Sequence, residues 1–348
     1  MGFSSQSGQL LLREQQDEGI FETDIATAGV AVRTRSGGLT SNRDLLIPDP
    51  EIGGGRDVND AYLGPVSFSG DVEFYARMTA LTSMLYGVLG SKAHSASGVG
   101  TAEVHTHTFT PIDVGSLPWY SAEQAVADDY EVYNYTDCKF NTFHLEADAT
   151  GYLMGTAGMI AKKQVAGATR TDAADPAGDG SDPSLWDETP MIVGTNITVT
   201  YNGITLPAKS FSLDINNNIE DDDFRLGSFY LGDMTEKRRE ITMGVTIRPQ
   251  DSALWRQATY GVSSATQAGG LTTKQQAVIT VATYEVIGTS VTPYQAVFTV
   301  PKAIIAPFSV EPSGDDVIEN DLEIRAVRPS AGTPIITAVV KNGTAAVA

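Results

Sequence analysis

The sequence predicts a mainly β chain, rich in turns, with one convincing internal helix. Three observations carry that expectation. The 348 residues include 34 Gly and 16 Pro beside many Thr and Val, and 41% are hydrophobic, a mixture that suits short strands around a sizeable core. Period-two alternation recurs, most clearly on either side of residues 217–236: Phe211, Leu213 and Ile215 alternate with Ser212, Asp214 and Asn216, and Ile241, Met243, Val245 and Ile247 with Thr242, Gly244, Thr246 and Arg248. Such alternation puts the apolar set on one face of a sheet. Helical spacing stands out at Met78–Leu89. The length allows one large β domain or two modest ones.

The elements follow in order. Residues 1–35 read as an N-terminal arm and first strands, with Gln9–Glu14 and Gly29–Arg35 as strands and an irregular stretch up to Ala28. Residues 36–64 read as an oversized Gly/Pro-rich loop whose centre, Leu45, Leu46 and Ile47, is too apolar to lie bare in water without a partner. Residues 65–340 form the main β domain. It opens with a strand, Val66–Tyr75, in which Gly70 marks an expected bulge or bend. The helix Met78–Leu89 follows, its Met78, Leu81, Leu85 and Leu89 expected to pack in the core and Gly90 to stop it.

Glu103–Thr110 reads as a strand with His105 and His107 on one face. Two histidines could begin a metal site, but no third or fourth ligand is evident in the sequence nearby. Glu131–Ala147 reads as two strands around a turn at Thr136–Asp137, and Tyr152–Gln164 as a returning strand. Residues 167–190 hold six acids against Arg170 and read as a solvated connector, since the EF-hand spacing is missing. On either side of it, Thr142-Phe143-His144-Leu145-Glu146 echoes Ser210-Phe211-Ser212-Leu213-Asp214, as two related β units would.

Between the two clearest strands, Asn217–Glu236 carries Glu220, Asp221, Asp222, Asp223, Asp233 and Glu236 against one base, Arg225. It is far longer than a hairpin needs, which makes it an expected contact with a neighbour. The chain closes with a short helix at Ser252–Tyr260, strands at Ala277–Val286, Tyr294–Val300, Ala303–Phe308, Asp321–Val327 and Ile335–Val340, and a small polar tail at 341–348.

The chemistry is mostly that of exclusion. A formal net charge of −20 argues against gripping nucleic acid, because phosphate binding needs Lys and Arg. Cys138 is the single cysteine, so neither an internal disulfide nor a cysteine metal cluster can form. MGFSSQSGQ lacks the features of a signal peptide, and no apolar run is long enough to span a membrane. The chain is therefore expected in a cytoplasm or a particle assembled there. No phosphate loop, HExxH or GxSxG is present, so no catalytic residue and no cofactor is expected. Pairs of carboxylates are too plentiful to exclude a glycosidase-type pair by counting.

Three pieces, in order, resemble the tail tube (major tail) proteins of long-tailed bacteriophages: GDVEFYARMTALTSMLYGVLG, KSFSLDINNNIEDDDFRLGSFYLGDMTEKRREITMGVTI, and YQAVFTVPKAIIAPFSVEPSGDD with LEIRAV. The resemblance spans most of residues 66–327, and loops 36–64 and 167–190 depart from it. It implies a β-sandwich or half-barrel with one flanking helix that completes a continuous β-barrel when six copies form a ring. It also implies stacking of rings into the tail tube, the conduit for genome ejection. The implied partners are the chain itself and the tape measure, tail terminator and baseplate proteins, with double-stranded DNA only in transit. Made in the cytoplasm of a bacterial host, the chain would reside in the virion tail. Six copies at −20 give −120 per ring, which would let DNA slide past rather than stick. The candidate interface residues are Leu45, Leu46 and Ile47, then Glu220, Asp221, Asp222, Asp223, Phe224 and Arg225, with the arm Leu10–Phe21 as a third. Another tail or head–tail joining protein of the same fold is the nearest alternative. A carbohydrate-binding sandwich is a more distant one, because Trp119, Trp186 and Trp255 are dispersed in the sequence.

Overall fold

A computed structural model describes residues 5–49, 51–52, 57–58, 60–127, 130–174, 184–270, 272–310 and 318–345. The elements run β1 (Gln9–Glu14), α1 (Ile25–Ala28), β2 (Val30–Val32), β3 (Thr34–Gly37), β4 (Thr40–Leu46), β5 (Tyr62–Tyr75) and α2 (Met78–Leu89). Next come β6 (Gly90–Ser97), β7 (Val104–Pro111), β8 (Tyr120–Ala127), β9 (Glu131–Asp148), β10 (Met154–Ala166), β11 (Ile197–Tyr201), β12 (Ile204–Thr205), β13 (Ala208–Asn216) and β14 (Glu240–Ile247). α3 (Ala253–Tyr260), β15 (Gln275–Val286), β16 (Pro293–Ile305), β17 (Asn320–Ala326) and β18 (Thr337–Asn342) complete the chain.

The strands form one hydrogen-bonded network that does not close into a barrel. One run pairs β5, β10, β9, β13, β14 and β17 in that spatial order, all antiparallel. A second pairs β11, β15, β16, β18, β7 and β6. β16 joins them, because its first part pairs β15 and β18 and its last residues, Ala303–Ile305, pair β17. Both runs turn apolar side chains into one core, which holds Phe143, Leu145, Phe211, Leu213, Met243 and Ile324 from the first and Ile279, Phe298, Val300 and Val340 from the second. The result is a β-sandwich with a flanking helix.

That helix is more enclosed than an amphipathic stripe predicts. Met78, Leu81, Leu85 and Leu89 are fully buried, and so are Thr82, Ser83, Met84 and Val88 on its other faces. A helix apolar nearly all round is one covered nearly all round. Gly90 ends it in the left-handed region, φ +88, where a side chain would be strained.

Several elements depart from the sequence reading. Residues 36–64 hold strands β3 and β4, zipped onto an extended β5, where a structureless loop is expected. Gly70 shows no register break against β10; a Cβ there would sit 2.1 Å from the Gly38 carbonyl oxygen, so close approach of the chain is what requires glycine. Glu131–Asp148 is one strand of 18 residues rather than a hairpin. Asp137, at φ +60, kinks it without reversing it. Before the kink β9 pairs β8, and beyond it β13. The two strands expected at Tyr294–Val300 and Ala303–Phe308 are likewise one, Pro293–Ile305, which runs through Pro301. The two echoing segments lie side by side, Leu145 opposite Leu213 and Phe143 opposite Ile215.

The acidic connector is not merely solvated. Around residues 175–183, which lie outside the described set, its two ends dock on the protein. Trp186 bridges to Ala31, and Leu185 packs with Leu11 and Ile25. The buried Asp187 accepts the Ala80 N–H at 2.7 Å, and Thr189 Oγ1 accepts the Met78 N–H at 2.9 Å. Arg77, at the N-cap of α2, makes no capping bond of its own, so a carboxylate more than 100 residues away satisfies the helix start.

Candidate assembly surfaces

The outward face of the first run can be read in cross-strand rows. Asp148, Ser210, Thr246 and Asp321 form one row. Tyr75, Met154, Glu146, Ser212, Gly244 and Glu323 form the next. Glu73, Thr156, His144, Asp214, Thr242 and Arg325 follow, then Asp71, Gly158, Thr142, Asn216 and Glu240. Alternation dictates this face, because each polar residue neighbours a core residue along its strand. It carries eight carboxylates against Arg325 and His144, the rest being mostly small or hydroxylic. The hydrogen bond to Asp214, 2.6 Å from Nδ1, holds the His144 imidazole above its ordinary pKa, against the opposing effect of burial.

At the end of the run where β13 leaves at Asn216 and β14 enters at Glu240, two structures project. The first is the β4–β5 hairpin. Every residue of β4 is exposed, and Leu45, Leu46, Ile47, Tyr62 and Leu63 are each more than half exposed. Leu45 pairs with Leu63 and Leu46 with Tyr62, so the apolar triplet belongs to a regular arm and not to an irregular loop.

The second is the hairpin 217–239. It is ordered by its own chain, not by a neighbour as expected from its length. Ile219, Leu231 and Met234 form a small core with Leu117 of the 112–119 segment and Ile160 of β10. Lys139, whose side chain is 1% exposed, gives its ammonium to Glu236 at 2.7 Å, Ser116 Oγ at 2.7 Å and the Met234 carbonyl at 3.0 Å. Burial works to raise the Glu236 pKa, but Lys139 and the Leu117 N–H more than offset it and hold the carboxyl below its ordinary value. Trp119 lies between the ammonium groups of Lys139 and Lys162, 4.0 and 4.5 Å from its ring centre. Lys162 also reaches Glu18 at 2.5 Å and Asp233 at 3.8 Å.

Most of the candidate residues are brought together at this end. The Phe229 carbonyl accepts the Val66 N–H at 2.8 Å, and the Arg43 guanidinium sits 5.6 Å from the Phe229 ring centre. The hairpin therefore leans on the base of the arm. Glu220 pairs with Lys237 at 3.3 Å and Asp223 with Arg225 at 2.6 Å, while Phe224 bridges to Leu231. Asp221 and Asp222 are exposed and in no salt bridge among the described residues. Of the stretch Leu10–Phe21, Leu10, Leu11 and Leu12 are buried in β1, paired on both sides by β2 and β8, so these three are not open to a neighbour, whereas Gln16–Ile20 are exposed. Lys139 and Lys162 went unnoticed in the sequence, although a lysine amid apolar strand residues is a signal for a buried ion pair.

A family model for phage tail tube protein matches residues 5–326. The chain belongs to that family. It is thus a structural component of a phage tail, and association with itself into a tube is what such membership entails. No curated protein matches the sequence closely. None of the described helices is long and apolar enough to cross a membrane.

The remaining sequence candidates lie elsewhere. His94 of β6 pairs across from His107, and its Nε2 lies 3.0 Å from His105 Nδ1. The three rings cluster, yet among the described residues no group of three His, Cys, Asp or Glu is arranged to hold a metal ion. His107 Nε2 lies 2.9 Å from the Thr344 carbonyl, and burial lowers its pKa. Cys138 is fully buried, which raises its thiol pKa far out of the reactive range. The three tryptophans make separate contacts: Trp186 under Arg33, Trp255 against Tyr260, Trp119 between two lysines.

Proposed function

We propose that this tail tube subunit closes with five others into a ring, that rings stack into the tube, and that the outward face of the first run lines the channel. The acid-and-hydroxyl face carries this reading. A channel for duplex DNA needs a wall that offers phosphates nothing to hold, and carboxylates repel them over about 8–10 Å at physiological salt. Small hydroxyl side chains leave the bore clear.

The edges of the run support ring closure. It ends at β3 and β4 on one side, and on the other at β17, whose far side β16 covers only at Ile324–Ala326. Open edges invite aggregation in a monomer and are removed when a sheet continues into the next subunit. The arm bearing Leu45, Leu46 and Ile47 is the contact to the next ring. The hairpin residues Glu220, Asp221, Asp222, Asp223, Phe224 and Arg225 serve the contact to the next subunit. Tape measure, tail terminator and baseplate proteins would meet the same surfaces inside and at the tube ends, in a virion built in a bacterial cytoplasm.

Negative-stain microscopy of the purified chain tests the proposal. Tubes or stacked rings with sixfold end views are expected. A stable monomer at high concentration would sink the reading, and single unstacked rings would point to a head–tail joining protein.

A further inference from the structure

The two ends of the first run present complementary surfaces. At one end stands the arm, and its apolar side chains lie on both sides of a two-stranded ribbon. Leu45 pairs with Leu63 and Leu46 with Tyr62, and consecutive residues of a strand face opposite ways. A ribbon that is apolar on both faces is covered by insertion into a recess, not by lying on a flat surface.

A recess of that kind opens at the other end. From Glu240, at the end that bears the arm, β14 runs about 24 Å to Ile247, which pairs with Asn320, the first residue of β17. Beside Ile247 and Asn320 lies a cavity of about 950 Å³. Its apolar lining includes Pro249, Leu254, Trp255, Phe308, Val310 and Ile318. Among the described residues Asp251 is the one charged side chain there, and it accepts the Ala253 N–H at 2.8 Å. Leu254 and Phe308 also pack on the main core, Tyr260 meets the Trp255 ring edge to face, and Val310 and Ile318 are 39% and 44% exposed. The cavity on the acidic face, by contrast, is lined by Glu146, Asp148, Asp321 and Glu323.

We propose that the arm of one subunit inserts into the Trp255 cavity of a subunit in the next ring. This deepens the stacking reading above and rests on it. Rings stacked head to tail repeat along the tube axis, so what projects from one end of a copy meets what opens at the other end of the next. Such a contact is heterologous and continues without closing. The two patches also suit one another across the wall. The arm rises from the β4 edge, and the cavity lies at the ends of β14 and β17, towards the opposite edge of the run. Ring closure sets the β4 edge of one copy beside the β17 edge of its neighbour. The cavity at the foot of such a neighbour in the next ring therefore faces the arm. Leu45, Leu46, Ile47, Tyr62 and Leu63, each more than half exposed, are the side chains it takes up.

The test cross-links the full-length chain after assembly. Leu46→Cys with Val310→Cys puts one thiol on the arm and one in the cavity, both at exposed positions, while the native Cys138 is fully buried. A short bismaleimide applied to tubes should give a denaturing-gel ladder that continues past the hexamer, because each link joins one ring to the next. A ladder that stops at the hexamer would put the arm against a neighbour within its own ring. Monomers alone, from tubes that have formed, would show that something other than the arm meets the cavity. Linked dimers from Leu46→Cys alone would show arm meeting arm. Each of these three results overturns the proposal. A second variant does not depend on the reach of the linker. Val310→Asp should leave the urea midpoint and ring formation unchanged and raise the concentration at which tubes appear by at least about tenfold, since the carboxylate would be buried among apolar side chains. Tubes at the usual concentration would again overturn it. Failure of the unaltered chain to form rings or tubes would instead sink the reading on which this one rests.

Discussion

The arm and the 217–239 hairpin leave the same end of the same sheet, and they are stabilised in opposite ways. The hairpin, acidic and 23 residues long, is held down by a buried ammonium, a small apolar core and a tryptophan between two lysines. The arm is an ordered ladder with almost nothing beneath it, and its leucines face water. Acid density does not by itself mark a segment that needs a partner, since lysines on the underlying strands can balance it. Uncovered apolar surface on regular backbone does mark one, because hydrophobic burial is the term still unspent.

The largest effect should come from removing the hairpin's anchor. Lys139→Ala strands the Glu236 carboxylate beside the Ser116 and Met234 groups it shared, and is expected to cost about 3 kcal/mol. Urea unfolding would read the loss, and limited proteolysis should now cut within 217–239. An unchanged midpoint and an uncut hairpin would show that the anchor is not what orders it. The pH dependence has a definite sign. The folded-state pKa of Glu236 lies below its ordinary value, so its contribution is present above that ordinary value of about 4.3 and is lost as pH falls through the folded one. The variant should therefore lose part of the acid sensitivity of the parent.

Next in size is the small core under the hairpin. Met234→Ala removes a fully buried side chain from a cluster of only five buried residues, and about 2 kcal/mol is expected by denaturant titration. Loss of ring formation with no loss of stability would mean that Met234 serves a neighbour.

What the sequence could convey divides along the same line. Alternation placed β13 and β14 within a residue or two, and the 3.6 period placed α2, because both depend on local spacing. The docking of residues 184–189 was hidden. Asp187 caps α2 across a gap in sequence that no pattern spans, and the five other acids of its segment make it look like solvated chain. β4 was hidden too. Its residues are exposed on every side, so no alternation betrays a strand, and the residues that flank it, Gly37, Gly38, Pro48 and Pro50, read as loop. The lysines under the hairpin were visible as residues, but their roles depend on which strands β9 and β10 bring beneath it. The acidic face could be read only once registers were known, because eight carboxylates from five strands fall into rows that no single segment displays.

A smaller effect belongs to that face. His144, one-third exposed, sits between Asp214 and Glu146, and its pKa is raised in the folded state. Its stabilising contribution is complete below the unfolded value of about 6.5 and fades as pH rises through the folded one. His144→Gln should thus lower stability at pH 6 by less than about 1 kcal/mol, given the exposure, and by still less at pH 9. Equal losses at both pH values would remove the charge from this account.

The smallest effect on stability should accompany the largest on assembly. Leu45→Asp with Leu46→Asp places two charges on an arm whose side chains already face water, so unfolding should shift by no more than about 0.5 kcal/mol. The same two charges would have to be buried if the arm lies against the next ring, and a buried unpaired carboxylate is far costlier than an exposed one. Rings without tubes are the expected outcome by microscopy. The opposite pattern, a clear drop in stability with tubes intact, would mean that the arm folds back on its own subunit, and the contrast with the hairpin would disappear. Because the two readouts move independently, the variant separates what holds this subunit together from what joins it to the next.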